Sequence, residues 1–180
     1  MQNVPGMIGV DKMGAEILFL DPKTYKIEKT LKGFQRTVHE LLVVPETGTA
    51  YVPIFGDGIH GRNPNPGHLL CVIDLKNRTH AADIDLRPYI APHTLKLGPD
   101  GFVYITCENS AVVAVIDRST KTVVDAIDLG FKTNLIAAGE GAIWVVDPGG
   151  STLWRIDSHT HEKKSFGIAD EKFRGGATSQ

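Results

Sequence analysis

The chain has 180 residues, 42% of them hydrophobic, with 19 basic and 21 acidic side chains and a formal net charge of −2. That length and apolar fraction can bury a sizeable core, and the near-neutral charge gives nucleic acid or an anionic membrane surface no electrostatic hold. No apolar run approaches the ~18 residues of a membrane span, and the start, MQNVPGMIGVDKMG, lacks the basic residues and apolar stretch of a secretory leader, which predicts a cytoplasmic product if Met1 is the native start.

Short apolar runs bounded by turn residues follow one another from Met7 onward, and such runs read as strands. Met7 to Asp11 is followed by a run ending in ILFLD at Asp21. Similar endings return as LLCVID at Asp74, VVAVID at Asp117 and TLWRID at Asp157, at spacings of 53, 43 and 40 residues. Each Asp opens a comparable turn: DPKTYK, DLKNRT, DRSTKT and DSHTHE. The unit is clearest from Pro92 to Leu129, where His93 to Leu97, Phe102 to Thr106, Val112 to Ile116 and Val123 to Leu129 make a four-stranded antiparallel meander. A repeat of about 40 residues with four strands per unit is the pattern of propeller blades.

The units run over residues 7–33, 34–87, 88–130 and 131–169, with a tail at 170–180, in a single domain 1–180. The first unit begins at the equivalent of a second strand, so its innermost strand is missing. The tail arrives where another innermost strand would start, and could close a four-bladed ring. Alternatively the chain is part of a larger propeller, or a homo-oligomer in which other copies complete the ring, because an open series of blades exposes unpaired sheet surfaces. The spacing of 53 carries an insertion of about ten residues, Gly56 to Gly67, GDGIHGRNPNPG, whose composition predicts an irregular loop.

The run from Ile116 to Ile127, ID-x-x-T-x-x-V-V-x-x-I, preceded by PDGFVYIT, resembles the YVTN-type propeller repeats. GEGAIWVVDPGGSTLWRID is similar to repeats of the streptogramin (virginiamycin B) lyase-like propellers. The likeness covers residues 7–167 and implies a β-propeller fold. It implies no single activity, because similar repeats serve lyases, lactonases, electron-transfer subunits and surface proteins, and no lyase catalytic motif carries over.

Strand parity separates two rims. One collects the tight turns, including the four Asp-initiated ones with His80, His159 and His161, which predicts bland solvated chemistry there. The other collects the starts of innermost strands and the ends of second strands. It would hold His39, His93 and Asn134 at matching positions, with Glu108, Asn109 and Asp147, and the insertion adds His60, Arg62, Asn63 and His68. Imidazole, amide and carboxylate donors around one axis could hold one divalent metal ion, with zinc, iron or manganese fitting a mixed nitrogen and oxygen set. In that reading His39, His93 and Asn134 are metal ligands, Glu108, His60 and His68 are proton-transfer candidates, and Arg62, Asn63, Asn109 and Asp147 contact the ligand. The same His and Asn positions could instead cap strands against a neighbouring blade. Cys71 and Cys107 read as buried small hydrophobes, and Tyr51, Tyr104 and Trp144, recurring at one register, as packing between blades.

The function expected is therefore a propeller scaffold binding a small molecule or divalent metal at the channel mouth, as a lyase or lactonase if catalytic. The alternative is a non-catalytic propeller that binds a protein or surface partner through the same rim.

Overall fold

A computed structural model describes residues 6–35, 37–149 and 151–168. All its regular elements are strands, apart from two single turns of 3₁₀ helix. Met7–Asp11 (β1), Glu16–Leu20 (β2) and Ile27–Leu31 (β3) form a three-stranded antiparallel sheet. Leu42–Val44 (β4), Thr49–Pro53 (β5), Leu69–Asp74 (β6) and Thr79–Asp85 (β7) form the second, and Pro92–Leu97 (β8), Val103–Cys107 (β9), Val112–Asp117 (β10) and Thr122–Asp128 (β11) the third. The fourth contains Ile136–Gly139 (β12), Ala142–Asp147 (β13), Thr152–Asp157 (β14) and Lys163–Gly167 (β15). Each sheet is an up-and-down meander, so these are four β-propeller blades, the first with three strands among the described residues. The tail at 170–180 lies outside the described residues.

The repeated aspartates explain the regular spacing. Asp21 Oδ1 accepts the backbone N–H of Lys23 and Thr24, and Asp74, Asp117 and Asp157 do the same for the residues two and three positions on. Four residues after each Asp the chain turns through a left-handed conformation, at Tyr25, Arg78, Lys121 and His161. The Asp side chain offsets the cost of that turn by satisfying amides the hairpin leaves unpaired. Those bonds, and for Asp117 first the Ser119 hydroxyl, hold all four carboxyls below the ordinary carboxylate range.

Burial falls from the inner strands outward. β5, β6, β9 and β10 are buried almost throughout, whereas β7, β11 and β15 are mostly exposed. A strand with a neighbouring blade on each face must be apolar on both, which is why TAYVP, LLCVID, VYITC and VVAVID carry so few charges. The core lies in the seams between blades. Ile17 and Phe19 pack with Val52, Ile54 and Ile73 in the first, Tyr51, Val72, Leu95 and Ile105 fill the second, and Tyr104, Val115, Ile143 and Val145 the third. Among the described residues no buried apolar cluster joins β12–β15 to β1–β3.

Both cysteines are buried free thiols, as expected. Burial pushes the Cys107 thiol up to about 12. Tyr51 and Tyr104 fill seams, whereas Trp144, at the same register, is only half-buried and stacks on Phe166 of its own blade. His161 departs from a solvated turn. Its Nδ1 lies 2.5 Å from Asp125 Oδ2 and its ring meets Tyr104 edge-on, so it closes the outer end of the third seam.

Candidate functional site

The approach to β4, the start of β8 and the approach to β12 present the matching positions of three successive blades to one place, and the structure brings two of the three side chains into contact. The His39 and His93 rings have centroids 4.1 Å apart. Phe55, wholly buried at the root of the insertion, meets His39 at 5.3 Å and stands edge-on to His93 at 4.9 Å. Asn134 comes near the pair through its main chain, its carbonyl oxygen lying 3.5 Å from Thr106 Oγ1.

The third side chain beside the imidazoles is Glu40, which sequence reasoning passed over. Glu40 Oε1 lies 3.6 Å from His93 Nδ1 and accepts a hydrogen bond from Thr94 Oγ1 at 3.0 Å. The ligating atoms of His39, Glu40 and His93 all lie within 4.8 Å of one another. His39 Nδ1 is buried and makes no hydrogen bond. A buried polar atom without a partner is costly unless a ligand satisfies it. The adjacency of His39 and Glu40 in the chain was the signal available.

Both imidazoles are held neutral. Burial, then the Lys12 ammonium, brings His39 down to about 4 against a smaller opposing pull from Glu108. Burial, His39, Lys12 and His60 bring His93 down to about 3. The ammonium of Lys12 sits over the Phe55 ring, 5.8 Å from its centroid. Since both folded-state values lie below the ordinary 6.5, the unfolded chain takes up protons that the folded chain refuses. Stability is therefore full above about pH 6.5 and declines as pH falls toward 4, each imidazole contributing at most about 1.4 kcal/mol per pH unit. Solvent access to the half-buried His39 lowers its share. Urea midpoints at about pH 7 and about pH 5 should show the loss, and it should shrink in a His39→Asn, His93→Asn variant; a midpoint unchanged between the two would contradict neutral imidazoles.

Beside the pair lies a second set. Glu108, in the 3₁₀ turn after β9, is fully buried, yet its side chain is saturated by the insertion. Oε2 lies 2.7 Å from His60 Nδ1 and Oε1 accepts the Gly61 N–H at 2.6 Å. A carboxylate accepting the Nδ1 proton fixes the tautomer and leaves Nε2 as the basic nitrogen of a half-exposed ring. Glu108 and His60 are thus joined across the gap between two blades.

The insertion is built, not loose. Gly56 bridges to Pro66 and Ile59 to Arg62, Asn65 bonds both carboxylate oxygens of Asp57, and Asn63 Nδ2 donates to Phe55 O at 2.7 Å. Asn109 Nδ2 donates to the Asn63 carbonyl at 3.2 Å, so these two amides hold the loop to blade and turn. Arg62 stands exposed at the tip. His68 is placed apart from His60. Its Nδ1 lies 3.1 Å from Asp85 Oδ1, in a set with Arg87 at the outer ends of β6 and β7. Asp147 caps a turn through the Gly149 N–H at 2.9 Å.

No family model matches the chain, and no curated protein matches it. Solved β-propeller structures do. Hydrazine synthase of Kuenenia stuttgartiensis is similar over 68% of this chain and 33% of its own, at 21% identity and a TM-score of 0.56. The dihydro-heme d1 dehydrogenase NirN, solved in complex with DHE, matches 92% of this chain and 35% of its own at 15% identity and a TM-score of 0.69. U3-55K matches 89% and 48% at 11% identity and a TM-score of 0.67. At these identities the likeness shows the propeller fold, and the chain spans between a third and a half of the length of these structures.

Proposed function

We propose that this propeller binds a small anionic molecule through a divalent metal ion at the channel mouth. The observation that carries the reading is the contact of two neutral imidazoles, one with a buried unpartnered nitrogen, beside the Glu40 carboxylate. Neutral imidazole is the ligating form, and two imidazoles with one carboxylate suit manganese, iron or zinc. Asn134, whose carbonyl lies 3.5 Å from Thr106 Oγ1, is the candidate for a fourth donor through its amide.

Bound metal would polarise a carbonyl or carboxylate of the ligand. Lys12 and the exposed Arg62 add positive charge for an anion, and His60, oriented by Glu108, is the group to move a proton at Nε2. That combination supports lyase or lactone-hydrolysing chemistry.

Manganese is the discriminating probe, because it favours nitrogen and oxygen donors over thiolate. Chelator-stripped protein should take up one equivalent of Mn(II), followed by electron paramagnetic resonance, and a His39→Ala, His93→Ala variant should bind at least about a hundredfold more weakly, beyond the ten- to hundredfold typical of supporting residues. Unchanged uptake in the variant, or none in the parent, leaves the non-catalytic partner-binding reading.

A further inference from the structure

A second group of ligating side chains lies at the outer end of the first seam, away from the channel. Cys71 on β6 and Asp83 on β7 are direct cross-strand partners, so their side chains share a face. His80, three residues before Asp83, should point to the opposite face by strict alternation. The register shifts between Val72 and Ile73, where Ala82 pairs with Val72 but His80 with Ile73. The extra residue, Ala81, changes parity and returns His80 to the face of Asp83 and Cys71. His80 Nε2 lies 2.7 Å from Asp83 Oδ1. The ligand atoms of all three lie within 4.8 Å of one another. Phe34, on the link from the first blade, packs against the His80 ring at 5.2 Å.

The repeat supplies its own comparison. The same shift occurs in the first blade between Phe19 and Leu20 and in the third between Val115 and Ile116. The three equivalent positions there hold Leu18, Ile27 and Thr30, and Ala114, Val123 and Ala126. Where the bulge serves the fold alone, those positions hold no ligating group. Only the second blade of these three fills them with thiol, imidazole and carboxylate together.

We propose that Cys71, His80 and Asp83 form a metal site for zinc, separate from the channel mouth. Thiolate, imidazole and carboxylate are the three protein ligand types of zinc. His80 and Asp83 side chains are 38% and 41% exposed, so solvent can fill the remaining position. Burial, with Asp83 nearby, pushes the Cys71 thiol up. Binding releases the Cys71 thiol proton to solvent as the sulfur–metal bond forms.

Cobalt(II) added to chelator-stripped protein reports the site directly, because thiolate ligation gives a sulfur-to-cobalt charge-transfer band in the near ultraviolet that nitrogen and oxygen donors lack. One equivalent of cobalt should raise the band and zinc should abolish it. The band should vanish in Cys71→Ser and persist in Cys107→Ser and in the His39→Ala, His93→Ala variant. Absence of the band in the parent protein, or its survival in Cys71→Ser, overturns the proposal. Should Cys71→Ser fail to fold, His80→Ala and Asp83→Ala at half-exposed positions decide it: cobalt affinity at least tenfold weaker supports the site, and unchanged affinity overturns it.

Discussion

Replacing Glu108 by alanine is expected to release the tip of the insertion and destabilise the protein by about 3 kcal/mol. The magnitude follows from what the carboxylate holds. Its two oxygens accept from His60 and from the Gly61 N–H inside a fully buried pocket. Charge-assisted bonds of this kind contribute about 1.5–3 kcal/mol each, and breaking a buried pair by removing one partner costs about 3–5 kcal/mol. The half-exposed ring of His60 regains water, which sets the expectation at the lower end. Glu108→Gln keeps the shape and one acceptor for Gly61, so its cost should be roughly half. Trypsin gives a local readout, because Arg62 is the exposed basic residue of the tip. If tip opening is fast, cleavage after Arg62 follows the open population, and about 3 kcal/mol corresponds to roughly a hundredfold faster cutting. Cutting at the parental rate would show that the carboxylate does not hold the tip.

That pairing also marks the limit of what the sequence made legible. The blades were readable because their signals are local: an aspartate and its turn lie within four residues, and apolar runs of five or six residues report burial between neighbours. Parity correctly carried His39 and His93 to one place, because identical repeats map identical positions together. Asn134 comes near through its main chain, its carbonyl 3.5 Å from Thr106 Oγ1, and parity passed over Glu40, whose partner Thr94 lies 54 residues away. Glu108 and His60 are 48 residues apart, and nothing local couples them. His68, just after the insertion, was grouped with His60 inside it, yet its carbonyl accepts the Leu86 N–H and its ring meets Asp85. Strand parity placed His80 beside the Asp74 turn, where it stands, but the sequence shows no mark of the bulge at Ala81 that turns its ring toward Asp83.

The insertion shows why composition misleads in the other direction, and it yields the second large effect. Glycine, asparagine and proline suggest a loose loop, but three of its four glycines, Gly56, Gly58 and Gly67, stand where backbone meets backbone. A Cβ on Gly67 would lie 2.0 Å from the Ile54 carbonyl oxygen and 2.8 Å from its carbon. Gly67 also donates to Phe55 O at 2.9 Å and accepts from the Ala91 N–H at 2.8 Å, so the segment is fixed on both sides. The main chain cannot withdraw from the added methyl without giving up those bonds. Overpacking against rigid structure costs about 1–3 kcal/mol, and with the bonds at risk Gly67→Ala is expected near about 3 kcal/mol, a fall in Tm of about 6–12 °C for a chain of this size. Gly139, in β12, has open space where a Cβ would stand. Gly139→Ala should therefore be neutral or stabilising by up to about 1 kcal/mol, because alanine restricts the unfolded chain. Phe55 follows Ile54 directly and bears on both imidazoles, so a shift there should also weaken Mn(II) uptake in Gly67→Ala and not in Gly139→Ala. Equal melting temperatures for the two variants would mean that the loop rests on the blade without being locked to it.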